Sequence, residues 1–173
     1  IDFLFCDFLT QSYGMKTCFV TCATKSHFPG LQKLATSLSS TLENTDSDFC
    51  VISPDKIELK GVNFFYIRPL EDVYKNIKLR DHKHYSIARW HPAVWYKFES
   101  FGLTDYDRVI YLDADMLCTK DFSDALNHPH DVVWRNPNIG IVIVDKRCVP
   151  STYYDLINLT LRDEKIRNDE GGD

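Results

Sequence analysis

The apolar positions of this chain change period again and again. "KTCFVTC" (residues 16–22) is a short, β-rich apolar run and reads as a strand. "SHFPG" breaks it, and Leu31, Leu34, Ala35, Leu38 and Leu42 then recur at the three- and four-residue spacing of a helix with one buried face. "NTDSD" is a loop, "DFCVIS" a second strand ended by Pro54 and Asp55, and "VNFFYI" a third. Residues 70–91 are basic, carry three histidines and read as a loop or irregular helix crossing the open end of a sheet. Pro92 suits the first turn of a helix running to about Phe101. "DRVIYLDA" is the clearest strand; "FSDAL" reads as a short helix, and "DVVWR" and "IGIVIVDK" as strands. After Pro150, Tyr153, Leu156, Ile157 and Leu161 form a last helical stripe. Strands alternating with helices predict an α/β domain with a largely parallel sheet flanked by helices.

Composition narrows the class. In 173 residues, 44% apolar content supplies a real core, and the length fits one domain better than two. A net charge of −5 creates no basic field to recruit nucleic acid or an anionic membrane, and no segment is long enough to span a bilayer. The six cysteines form no C-x-x-C pair and sit mostly in or beside strand-like runs. They read as reduced core residues, which favours a cytoplasmic setting. "IDFLFCDFLT" is apolar but acidic, without the basic start of a signal peptide. Residues 1–14 are therefore expected to be an upstream fragment or extension, and the abrupt end at "NDEGGD" reads as a cut within a longer protein.

The chemistry concentrates in "RVIYLDADMLC" (residues 108–118), an apolar strand that runs into Asp113 and Asp115. Residues two apart on a strand share a side, so the two carboxylates are expected to converge at its carboxyl end, where open α/β sheets bind ligands. Converging carboxylates repel unless they share a cation, and oxygen donors suit Mn²⁺ or Mg²⁺. Such an ion takes one or two carboxylates and completes its shell with water and phosphate oxygens, so a metal-bound diphosphate is the chemistry implied. The alternative is a pair of solvated strand-end acids, because a bare D-x-D is common by chance.

"YDRVIYLDADMLCTKDFSDAL" closely resembles glycosyltransferase family 8, the group that includes glycogenin, galactinol synthase and bacterial galactosyltransferases. The resemblance extends over about residues 16–173 and implies a GT-A fold, a Rossmann-like nucleotide-binding sheet, over residues 15–173 with its C-terminal part missing. It also implies transfer of a hexose from UDP-glucose or UDP-galactose, with retention, to an unknown carbohydrate, lipid or protein acceptor. By this resemblance Asp115 binds the metal directly, Asp113 binds metal and reaches the ribose, and Ala114 lies against the donor between them. In "FVTCATKSHF", Cys22, Ala23 and Thr24 occupy the place where the family's uracil and ribose rest, with Phe28 near the base. Arg89 and Lys97 fall where the family carries cations that meet the donor, and Lys97 would stabilise the leaving diphosphate. "NPNIGIVIV" places Asn138 and Gly140 at the donor sugar, and the terminal "GGD" makes Asp173 the acid near the anomeric carbon.

Departures from the family pattern matter as much. The family's third metal ligand, a His, and the Gln near the reacting carbon fall beyond Asp173, and none of the six histidines present replaces that His. A non-catalytic UDP-sugar-binding domain is the main rival. A sugar nucleotidyltransferase is disfavoured because "TCATKSHFPG" has only Gly30, far from the strand end, where a glycine-rich phosphate loop would be required.

Overall fold

The computed structural model describes residues 14–71, 93–120, 122, 126, 132–134 and 140–146. The order of elements is β1 (Thr17–Cys22), α1 (Phe28–Thr45), β2 (Asp48–Ile52), β3 (Phe65–Ile67), a 3-10 segment (Ala93–Gly102), β4 (Arg108–Leu112), β5 (Val132–Trp134) and β6 (Ile141–Asp145). The six strands form one mixed sheet in the order β3-β2-β1-β4-β6-β5. Pairings β3–β2, β2–β1 and β1–β4 are parallel, whereas β6 runs antiparallel to both β4 and β5. The expected largely parallel sheet is present, with an antiparallel edge.

Strand alternation builds two cores, one on each face. Phe19, Phe49, Val51, Ile110 and Leu112 point toward α1, whose Leu31, Leu34, Ala35 and Leu38 are wholly buried. Cys18, Val20, Cys50, Ile52 and Val109 point to the other face, where Trp95, Tyr96 and Tyr106 cover them. Each fully buried Leu or Val side chain contributes about 1.5–3 kcal/mol of hydrophobic stabilisation, so both faces are needed to hold the central strands.

Three local expectations are refined. The helix expected from Pro92 to about Phe101 is present over residues 93–102, in 3-10 form. Trp95, Tyr96 and Phe98 lose side-chain freedom in an α-helix, and packing on the sheet decides the tighter form. The third strand holds only Phe65–Ile67 of "VNFFYI", because β2 offers it three paired positions. The strand of "DRVIYLDA" stops at Leu112, ahead of both acids. The irregular segment of 70–91 beyond Glu71, most of "FSDAL", and the stripe after Pro150 lie outside the described residues.

α1 begins with Pro29 in its first turn and ends at Asp46, whose φ of 50° and ψ of 39° give the left-handed turn that releases the chain. β4 and β6 are joined at one end by a buried ion pair. Arg108 Nε donates to Asp145 Oδ1 at 2.5 Å and a terminal guanidinium nitrogen donates to Oδ2 at 3.0 Å, across directly paired residues.

Candidate functional site

Strand order defines where a ligand can sit. From β1 the chain builds outward to β2 and β3, then returns to place β4 on the opposite side of β1. The order therefore reverses between β1 and β4, and the carboxyl ends of two such parallel strands flank a crevice. Cys22 ends β1 and Asp113 follows β4, so both border that crevice.

The acids do not converge by strand alternation. Beyond Leu112 the chain turns: the Met116 amide donates to the Asp113 carbonyl at 3.2 Å, which folds Asp113–Met116 into a tight turn. Ala114 is buried between a half-buried Asp113 and an exposed Asp115. Water therefore reaches both carboxylates, and neither bears the cost of an isolated buried charge. The Asp113 amide donates to the Gly140 carbonyl at 2.9 Å, so β6 fixes the backbone of the first acid.

Tyr111 orients the Asp113 side chain. The two residues are two apart and share a face, and the Tyr111 hydroxyl donates to Asp113 Oδ1 at 3.0 Å. The same phenol neighbours the Cys22 thiol, so the end of β1 lies beside this pair. Burial, followed by the neighbouring Cys22 and Asp113, pushes the Tyr111 phenol well above its ordinary value and keeps it a donor. Burial likewise holds the Cys22 thiol protonated, with the Asp113 carboxylate acting in the same direction and the Lys97 ammonium against it. Tyr111 was not among the sequence candidates; its position two before the first acid was the available signal.

The loop after β1 is held by its own bonds. Ala23 is buried, and its amide donates to the Ile52 carbonyl at 3.0 Å. The Thr24 hydroxyl lies 2.9 Å from His27 Nδ1 and 3.0 Å from the Ser26 hydroxyl. The Lys25 amide donates to Asp55 Oδ2 at 2.7 Å, tying this loop to the end of β2. Phe28 is half-buried against the core beneath α1. Cys22, Ala23, Thr24, Asp113, Ala114, Asp115 and Gly140 therefore lie at or near one end of the sheet, and Lys97 stands on the 3-10 segment whose Trp95 and Tyr96 cover one face. Arg89, Asn138 and Asp173 lie outside the described residues.

The donor set suits a hard divalent ion in chemistry: two aspartates, accessible to water, on a turn whose backbone is fixed. Among the described residues no group of three or more His, Cys, Asp or Glu side chains is placed to hold a metal.

The glycosyl transferase family 8 model matches residues 13–133. Solved structures share the fold. The glycosyltransferase GlyE of Streptococcus pneumoniae TIGR4 aligns with a TM-score of 0.57 at 16% identity, over 92% of this chain and 42% of its own. The bifunctional WbbM enzyme aligns with a TM-score of 0.58 at 13% identity, over 89% and 36%. The galactosyltransferase LgtC, solved with donor and acceptor sugar analogues, aligns with a TM-score of 0.51 at 17% identity, over 87% and 68%. The chain thus spans less than half the length of the first two. A search of curated proteins gave no match. The sheet is the mostly parallel sheet of the GT-A nucleotide-diphospho-sugar transferases.

Proposed function

Because this chain belongs to glycosyl transferase family 8, we propose that it forms the donor-binding part of a retaining hexosyltransferase that takes glucose or galactose from a UDP-sugar. The observation that best supports this reading is the gathering of Cys22, Tyr111 and Asp113 where the strand order reverses between β1 and β4. Asp113 and Asp115 would hold Mn²⁺ or Mg²⁺, which when bound neutralises the charge of the donor diphosphate. The chain's own residues do the rest. Tyr111 holds one Asp113 oxygen, and the Gly140 carbonyl holds the Asp113 amide, so the carboxylate is preorganised before a ligand arrives.

Lys97, on the 3-10 segment, would supply a positive charge suited to a departing diphosphate. The segment after β1 offers the Thr24 hydroxyl and the Ala23 carbonyl to nucleoside groups, while Phe28 braces that segment from the core. No obvious nucleophile presents itself in the sequence, and a double displacement would require a carboxylate on the far face of the sugar. We therefore favour departure of UDP and attack of the acceptor hydroxyl on the same face. Asn138 and Asp173 would meet the donor sugar, and Arg89 its phosphates. No helix among the described residues is long and apolar enough to cross a membrane, and a cytoplasmic site of action is part of the proposal.

Calorimetry of UDP and UDP-glucose binding, with and without Mn²⁺, tests the reading on wild type and Asp115→Ala. Mn²⁺ should tighten UDP binding in the wild type, and Asp115→Ala should remove at least about tenfold of that gain, roughly 1.4 kcal/mol. Equal, metal-independent affinities in the two proteins refute the metal site. Tight metal-dependent binding without metal-dependent UDP release by the full-length protein would favour a binding domain over an enzyme.

A further inference from the structure

Gly30 occupies the third position of α1, where glycine costs about 1 kcal/mol of helix stability relative to alanine. It has no left-handed φ to explain it. What explains it is proximity: a Cβ there would stand 2.9 Å from the Ala114 carbonyl oxygen and 3.5 Å from Asp115 Cα. Only a bare glycine lets the helix touch the turn that carries both acids.

Two further contacts continue this one along α1. The Ser37 hydroxyl donates to the Leu34 carbonyl at 2.8 Å and accepts the Cys118 amide at 3.0 Å. The Thr41 hydroxyl accepts the Phe122 amide at 3.3 Å. Positions 30, 37 and 41 differ by seven and eleven residues, which at about 3.6 residues per turn brings them within roughly 20° of one helix face. The geometry points to that face as a splint: Gly30, Ser37 and Thr41 set the positions of Ala114–Cys118 and of Phe122, and through them Asp113 and Asp115. These are positioning residues, and the proposal builds on the metal-site reading of the two acids.

The helix cannot give way to an added methyl. Leu31, Leu34, Ala35 and Leu38 are wholly buried on the sheet, whereas Asp115 and Leu117 are exposed. The turn yields instead, by about half an ångström to restore ordinary contact distance. Sites of this kind need their ligands held within about 0.5 Å, so that displacement is sufficient to disturb them.

Gly30→Ala is therefore expected to weaken Mn²⁺-supported UDP binding by about tenfold and to lower the melting temperature, because the atom that must move is backbone. Gly14→Ala is the control, since nothing lies within 4 Å of a Cβ there. Amide NMR shifts of residues 113–118, recorded without metal, read the turn itself and should move in Gly30→Ala but not in Gly14→Ala. Ser37→Ala adds no bulk and serves if Gly30→Ala fails to fold; it should speed amide exchange at Cys118 and weaken binding about two- to fivefold. Unchanged turn shifts with unchanged binding in a folded Gly30→Ala, or unchanged exchange in Ser37→Ala, overturn the splint. Wild-type binding that ignores Mn²⁺ overturns the metal reading, and with it the function assigned to the splint, whatever the shifts do.

Discussion

Removing the Asp145 carboxylate should be the most destabilising single change near the site. Arg108 is 2% exposed and Asp145 7%, and they are direct partners across the antiparallel β4–β6 ladder. The guanidinium makes two bonds to the carboxylate and a third, at 2.7 Å, to the Leu126 carbonyl. In Asp145→Ala the positive charge stays buried, its charge-assisted bonds to that carboxylate are lost, and the neighbourhood has little water to compensate. Breaking a buried pair from one side costs about 3–5 kcal/mol. Against a total stability of roughly 5–15 kcal/mol, that is a large fraction. Urea denaturation followed by tryptophan fluorescence measures it directly. The paired change Arg108→Met with Asp145→Leu removes both charges together and should cost far less than Asp145→Ala alone. A loss under about 1 kcal/mol in Asp145→Ala, the range of an exposed pair, or a double variant weaker than Asp145→Ala, would refute the buried-charge penalty.

Tyr111→Phe removes the donor to Asp113 Oδ1 and leaves the ring in place, so Mn²⁺-supported UDP affinity should fall roughly three- to tenfold with little change in melting temperature; calorimetry checks it, and an unaltered affinity would separate Tyr111 from the site. Burial pushes the Cys50 thiol up from 9.0 to about 12, so the folded chain keeps its proton where the unfolded chain releases it. That contribution is complete below pH 9 and is lost as pH climbs from there toward 12; urea midpoints should fall over this range, and less steeply in Cys50→Ala. Asp46 adopts φ 50° after α1, so Asp46→Val should cost about 1–2 kcal/mol whereas Asp46→Gly should not, as thermal unfolding would report.

Period alone was enough to locate much of the frame. The stripe at Leu31, Leu34, Ala35 and Leu38 is wholly buried, and β1, β2, β4 and β6 lie within the apolar runs that predict them. Strand direction is another matter. β6 runs antiparallel to β4 because of the path the chain takes between them, and no residue type within "IGIVIVDK" encodes that path. The 3-10 form of residues 93–102 was hidden for a related reason: packing of Trp95 and Tyr96 against the sheet decides it, and local spacing does not. In the site, the D-x-D drew notice as a motif, yet its two acids belong to a turn, and the extended-strand argument for their convergence does not hold. Gly30 read as a failed phosphate-loop glycine because its contact with Ala114 joins residues far apart in the chain.

One geometric fact links these readings. Alternation along β4 sends Val109 and Tyr111 to the face covered by the 3-10 segment, and Ile110 and Leu112 to the face covered by α1. The turn inherits this division. Asp113 continues the Tyr111 side and takes its hydrogen bond there, while Ala114 continues the Leu112 side and is buried against α1. The turn that carries the acids is thus held from two sides, by Tyr111 at Asp113 and by α1 at Ala114, so a perturbation of either should reach the same carboxylates. Tyr111→Phe acts on the Asp113 side chain, and Gly30→Ala acts on the backbone at Ala114. With both sites bearing on one turn, their effects on binding should not add: the double variant should lose less than the product of the two single losses. Strict multiplicativity would mean that the two cores hold the acids independently.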